Sequence, residues 1–475
     1  MKDIFDDSLV ISFQEMVEES LMEFSKGNDL IAFQEKLRGG MNKICVTIQQ
    51  RLLECVDHHL TSKKSTRKGW VIERRNDEKT ILSPFGPVIY RRTYFRNKKN
   101  GTYAYLTDKA VGYTPHQRLD VLLEADVVAE ASERSYRKAG ISQESHAAGT
   151  GVSGQTVLNL VRKFQPEQID VNKRLEDKRT SKIIYIEADE DHVAHREKGV
   201  RAFDQRLVYV HEGCINVGKN RNQLLGKKYF TFAPGTKSEI LWNTIWRYLD
   251  DTYDLEKTEH IFISGDGAGW IKSGAEYIPD ARYVMDGFHL KKAIHRAAGV
   301  DQERRDALAS LIRDGKWAKM NRLLITLLDE AISESRQQAV TKMISYFNNN
   351  WSGIQAQRVY RNLLVGCSAE GHVSHVLSSR LSSRPMGWSY VGANQMAHLR
   401  IHRANGLDLH KAYLKKRDKE RTRLDSIEMG RMLDPLPKAS GSSHEMLGNI
   451  PSAHRGYNLS LGHLLRRISN TNHEF

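Results

Sequence analysis

The chain has 475 residues, 40% apolar and 27% charged, a length beyond one ordinary core that predicts roughly two to four folded units. No apolar run approaches the roughly 18–20 residues that span a bilayer, the acidic start MKDIFDDSLV does not read as a secretory signal, and four scattered cysteines (Cys45, Cys55, Cys214, Cys367) without a C-x-x-C pair argue against disulfide or zinc scaffolds. The formal charge of +14 favours polyanionic partners, nucleic acid first, in the cytoplasm and near the nucleoid.

Residues 1–60 predict an N-terminal helical region, since apolar positions recur at three- and four-residue steps with interruptions at a Gly-Asn and a Gly-Gly. Residues 61–116 change period. Trp70–Arg74, Lys79–Leu82, Val88–Phe95 and Tyr103–Leu106 read as short strands of a small basic antiparallel sheet, with turns at Asn76-Asp77, Pro84–Gly86 and Asn100-Gly101. Arginines and tyrosines on one sheet suit a phosphate backbone or a solvated charged face equally well. Residues 117–165 return to helix, and SYRKAGISQESHAAGTGVSGQTVLNLVRKF (135–164) has a helix-turn-helix shape. Its second helix starts at Ser153 and has Val157, Leu160 and Val161 as its apolar face. Gln155, Thr156, Asn159, Arg162 and Lys163 are left for a DNA groove. Two packed helices without a ligand would read similarly. Polar residues 166–180 read as a linker.

After the linker, three strand-like runs (182–193, 205–214, 227–234) precede a helix capped by Thr236 with apolar Ile240, Leu241, Trp242, Ile245, Trp246 and Leu249. HIFISGDGAGWI and ARYVMDGFHLKKAI add a strand each, the second passing into helix. This order predicts an α/β domain with a mixed sheet over 181–298. Asp189 and Asp266 each terminate an apolar strand, with Glu187 and Asp191 on the face of Asp189. Carboxylates gathered there repel one another unless a cation intervenes, and hard divalent ions take such oxygen ligands. Aspartate at a strand end is also a common turn and cap residue. Residues 299–357 read as a helical insertion. In the following stretch Glu370 is the candidate third acid, surrounded by His372, His375, Arg380 and Arg384.

The strand-end acids, the DGFH at 286–289 and the long stretch SAEGHVSHVLSSRLSSRPMGWS (368–389) resemble the bacterial ISLre-type insertion-sequence transposases, relatives of the Mutator-like DDE transposases. The likeness runs over nearly the whole chain. It implies a ribonuclease H-like core interrupted by a helical insertion, completed by residues 358–409. It also implies Asp189, Asp266 and Glu370 as an acidic triad holding two Mg2+ or Mn2+ ions. Asp286 and His289 match the D-x-x-H signature of the Mutator-like relatives, which makes them supporting residues: His289 near DNA or the scissile phosphate, Asp286 orienting it.

The expected function is that of a DDE transposase acting on double-stranded DNA, both terminal inverted repeats and target, as a homodimer or larger assembly and without a membrane. A catalytically retired DNA-binding regulator, or a metal-dependent nuclease without strand transfer, is the alternative. Residues 410–475 read as a basic, partly mobile tail in which LSLGHLLRRI forms a short docking helix.

Overall fold

A computed structural model describes residues 7–142, 151–168, 177–219 and 221–425. The turn expected at Ala147–Gly151 (all but its last residue), the middle of the linker and the tail beyond residue 425 with LSLGHLLRRI lie outside these. The chain divides into two compact units, Met1–Val128 with Tyr136–Val157 and His410–Phe475, and Ala129–Ser135 with Leu158–Leu409.

In the first unit, helices Asp7–Ser25 and Leu30–Ser62 pack together. The Asn28 turn interrupts helix as expected, with a positive φ of 54°. The Gly39-Gly40 pair does not: the second helix runs through it. A Cβ at Gly40 would lie 2.2 Å from Met16 Cγ, so the glycine serves close helix packing rather than chain reversal. The sheet is one meander of β1 (Trp70–Ser83), β2 (Gly86–Asn97) and β3 (Tyr103–Tyr105). The turn expected at Asn76-Asp77 is a bulge inside β1, where the register against β2 slips and Asn76 takes φ 61°. Val56, Leu60, Trp70, Phe95 and Leu106 form the core between helix and sheet.

The stretch read as a helix-turn-helix contains helices Tyr136–Ile141 and Gly154–Phe164. Gly140 permits their approach, because a Cβ there would overlap the Val152 carbonyl, and the Val152 amide donates to the Gly140 carbonyl at 3.2 Å. Ser153 Oγ accepts from the Thr156 amide at 3.2 Å, the expected cap.

The second unit is built on a five-stranded mixed sheet. β4 (Ile183–Val193), β5 (Phe203–His211), a small hairpin of β6 (Cys214–Gly218) and β7 (Arg221–Leu224), and β8 (Lys228–Phe232) come first. β9 (His260–Gly265) and β10 (Ala281–Met285) follow. The order is β10-β9-β4-β5-β8. β4, β9 and β10 run parallel, and β5 is antiparallel to both of its neighbours. Alternation sends Ile184, Ile186, Ala188, Val208 and Val210 to one face, where helix Ser238–Thr252 covers them with Leu241, Trp242, Ile245 and Leu249. Two details of that helix differ from expectation. Ile240 is exposed, and Thr236 does not cap, because its hydroxyl turns back to the Ala233 carbonyl at 2.6 Å.

Helix Gly287–Ala298 leaves β10, capped by Asp286, and leads into the helical insertion of Gln302–Arg313, Trp317–Asp329 and Glu334–Val359. The insertion has its own apolar core, including Leu290, Leu308, Leu324, Val340 and Phe347. After it come the helical segments Ala369–Val373 and Ser379–Leu381, joined by a π-turn at Ser374–Ser378, then helices Tyr390–Ala404 and Leu409–Asp425. No described helix is long and apolar enough to cross a membrane.

Trp242 is fully buried, and its indole donates to the Trp270 carbonyl at 2.7 Å. Trp242→Ala is expected to cost about 3–5 kcal/mol, read by urea unfolding. A loss below about 1 kcal/mol would show that this face is not the principal core.

Candidate functional site

Asp189 lies inside β4 rather than at its end, correcting the expectation from sequence. The parallel pairing of β4 with β9 stops at Glu187 and Ser264, whereas the antiparallel pairing with β5 continues to Val193 and Phe203. Asp189 therefore sits just beyond the reach of β9, on the face shared with Glu187 and Asp191.

Asp266 follows β9 directly, and two glycines make room for it. A Cβ at Gly265 would lie 2.7 Å from the Ala188 carbonyl oxygen, and one at Gly267, whose φ is 98°, 2.6 Å from Asn350 Oδ1. Asp266 Oδ1 accepts from the Ala268 amide at 2.8 Å, and its carbonyl accepts from Tyr346 Oη at 2.9 Å. One strand over, the Asp286 amide donates to the Gly265 carbonyl at 3.0 Å, and the Asp286 carboxylate accepts from the Phe288 amide at 3.1 Å. His289 Nε2 is 3.8 Å from Asp286 Oδ2, an ion-pair separation longer than a hydrogen bond.

The electrostatics join these residues. Burial pushes the Asp189 carboxyl up to about 6; the Asp266 charge adds to the rise, and the Glu190 amide and His289 oppose it. Burial also raises Asp286, against the Phe288 amide and His289. Asp189, Asp266, Asp286 and His289 thus form one neighbourhood with an excess of negative charge.

The two acids flanking Asp189 do different work. Glu187 is buried and accepts from Tyr209 Oη, from His211 Nε2 at 3.0 Å and from the Ser368 amide at 2.6 Å. Burial pushes its carboxyl up, but the His211, Tyr209 and Ser368 contacts outweigh that and hold it below the usual range. Asp191 Oδ1 accepts from Ser378 Oγ at 2.8 Å and Ser382 Oγ at 2.6 Å. The segment 368–382 is therefore fastened to β4 at both ends, on either side of Asp189. The segment thus runs along the strand, and Glu370 follows its Ser368 anchor by two residues. Its side chain is exposed and makes no hydrogen bond or ion pair among the described residues.

The surroundings of Glu370 are less cationic than expected. Burial lowers His372 to about 4. It is held by Tyr229 Oη at 2.6 Å and packs 4.5 Å from the Tyr209 ring. Arg380 is buried; its Nε donates to the Ala131 carbonyl at 3.1 Å, and its guanidinium lies 5.0 Å from the Trp388 ring.

Asp189, Asp266 and Glu370 do not bring ligand atoms within 4.8 Å of one another as a set of three. Among the described residues only Glu190, His192 and Asp204 do, on the side of β4 opposite Asp189. A two-ion centre does not require that spacing of its outer ligands, since the ions themselves stand about 3.5–4 Å apart. In the helix-turn-helix region Gln155, Asn159, Arg162 and Lys163 are exposed, Thr156 is half-buried, and Val157, Leu160 and Val161 are buried, so the two faces separate as read.

A model of the uncharacterised protein family UPF0236 matches residues 25–418. A UPF0236 protein of Caldanaerobacter subterraneus subsp. tengcongensis is 31% identical over 471 residues, 98% of each chain. A second from the same organism is 31% identical across 98% of this chain and 93% of its own. A third is 30% identical across 96% of this chain and 98% of its own, and its name joins eleven serially numbered designations.

A carboxyl raised on folding contributes stability that is complete below its unfolded value, near 3.8, and lost as pH climbs through about 6. In chelator, Asp189→Asn is expected to melt like the parent at pH 4 and roughly 5 °C higher at pH 7.5. A melting difference that is flat with pH would show that the Asp189 carboxyl is not destabilised by its site.

Proposed function

The chain belongs to the UPF0236 family, and we propose that it is a DDE transposase that binds the ends of an insertion sequence, cuts there and joins the ends to target DNA. One observation carries the reading. Asp189 and Asp266 stand at adjacent strands and repel each other, while the segment bearing Glu370 is pinned to β4 on both sides of Asp189. That pinning supports a reading in which three acids from distant sequence positions meet at one edge of the sheet.

The topology supports it. Three antiparallel strands, then a helix and two strands parallel to the first, in the order β8-β5-β4-β9-β10, are compatible with a ribonuclease H-like core. The helical block sits between Asp266 and Glu370, where the resemblance to the ISLre-type transposases requires an insertion. The eleven designations under one relative's name, read as gene copies, are what a self-propagating element leaves in a genome.

The residues fit Mg2+ or Mn2+. A half-buried carboxylate pair without a cation is electrostatically unfavourable; burial leads the rise of Asp189, and the Asp266 charge adds to it. Asp189, Asp266 and Glu370 would hold two divalent ions, which supply activation of the attacking oxygen and stabilisation of the leaving one. Asp286 fixes the start of helix Gly287–Ala298 and with it the position of His289, which faces the acids and is suited to a phosphate oxygen. Water opens one phosphodiester bond and frees a 3′-hydroxyl. That hydroxyl then attacks a target phosphodiester, so one bond forms as one breaks and no nucleotide triphosphate is consumed. Exposed Gln155, Asn159, Arg162 and Lys163, with Thr156, present the face that reads the terminal repeats of the duplex. Two ends brought together call for a homodimer or larger assembly, working at the nucleoid.

Asp266→Asn is expected to bind element-end DNA as the parent does while cleavage in Mg2+ falls on the order of 100-fold or more. Cleavage at the parent rate would remove Asp266 from the centre, and hydrolysis without joined products would leave a nuclease. Replacing both Arg162 and Lys163 by Ala should flatten the dependence of log affinity on log salt by about two. An unchanged slope would exclude this helix as the contact.

A further inference from the structure

Charge pairing in the first unit leaves a cation over. Asp108, at the start of the short helix Leu106–Val111, takes Lys79 Nζ at 2.9 Å, an Arg92 guanidinium nitrogen, and Tyr90 Oη at 2.7 Å. The Lys79 and Arg92 side chains are only 8% and 13% exposed. The next carboxylate, Asp77, is engaged by Arg74 at 2.6 Å. Two desolvated cations therefore share one carboxylate, and Arg92 Nε is buried without a hydrogen-bond partner among the described residues. Such a donor is costly unless something accepts from it.

Lys79, Arg92 and Asp108 line a cavity of about 870 Å³. Its wall carries an aromatic stack: the Tyr94 and Tyr103 rings lie 5.3 Å apart at 14°, and Tyr103 is half exposed. Tyr105 faces the Arg92 guanidinium at 3.5 Å. Lys109 and Arg118 are exposed at the rim. A desolvated cation excess accepts a phosphate, and an open tyrosine face accepts a base regardless of sequence. Exposed cations beside the mouth suit the phosphates of a continuing strand.

We propose that this cavity receives one unpaired nucleotide of a DNA strand, its phosphate on the Lys79–Arg92 pair and its base on the Tyr103–Tyr94 stack. The proposal rests on the DNA-binding part of the function above and not on the acidic residues of the second unit. It gives the first unit a task distinct from duplex recognition, holding a frayed or cut end.

The test is fluorescence anisotropy with the full chain, comparing a blunt duplex with the same duplex bearing a short single-stranded overhang. The overhang should bind about tenfold tighter. Tyr103→Ala and Tyr94→Ala should each erase that preference while leaving blunt-duplex affinity and melting temperature unchanged, and Tyr103→Phe should keep it. Equal affinities in the parent, a preference that survives both alanine variants, or a parallel loss for both probes would overturn the assignment. Preference for dAMP without preference for the overhang would also overturn it, in favour of a free mononucleotide. Failure to bind either probe would sink both this and the duplex reading. A tyrosine-dependent preference in a protein that cuts nothing would leave this inference standing alone.

Discussion

Strand β4 sets the terms for the second unit, because one face of it carries three acids in succession, Glu187, Asp189 and Asp191. Three carboxylates at two-residue spacing on a mostly buried surface cannot all stay charged without partners. The fold gives the outer two hydrogen-bond donors from a segment nearly two hundred residues later: Ser368 for Glu187, Ser378 and Ser382 for Asp191. The middle acid gets little beyond its neighbour's amide. The same contacts that relieve the outer acids fasten the segment that carries Glu370 to β4 on both sides of the one left over.

That arrangement needs a helix able to meet the strand at two points. The π-turn at Ser374–Ser378 loosens the helical winding between them, and the Ser378 hydroxyl comes from its end. Tyr209, Tyr229 and His372 pack as a cluster beneath the first turn. A neutral His372 is what that cluster requires, since a charged ring would be buried among tyrosines. On the other side of Asp189, the glycines of Gly265-Asp266-Gly267 let β9 come close to the Ala188 carbonyl and to Asn350. The site is thus held by backbone proximity on one side and by hydroxyl donors on the other.

The net charge of the chain acquires a location in the first unit. Asp108 collects the buried cations of the basic sheet, and the remaining arginines and lysines stand with tyrosines at the surface. Burial of the pair is compatible with stability only because the carboxylate is shared. The excess that remains is a feature a polyanion can use.

Much of this was legible in the amino-acid sequence, because it depends on local period and chemistry. The order of strands and helices in the second unit, the helical insertion, the Ser153 cap and the exposed face of Gln155, Asn159, Arg162 and Lys163 follow from alternation, helical spacing and capping preference. The candidate acids came from their place after apolar runs and from a family resemblance. What sequence could not decide was who meets whom. Asp189 looked like a strand end because apolar residues stop there, yet β4 continues, since β5 pairs with it for four more residues. Gly40 and Asn76 looked like breaks but serve a helix contact and a bulge. Glu187 and Asp191 were visible as face-sharing acids, but their partners lie far along the chain, and only the tertiary fold could assign them. Local pattern is set by bonds between neighbouring residues; the pairing of buried charges is set by which distant surfaces close over them.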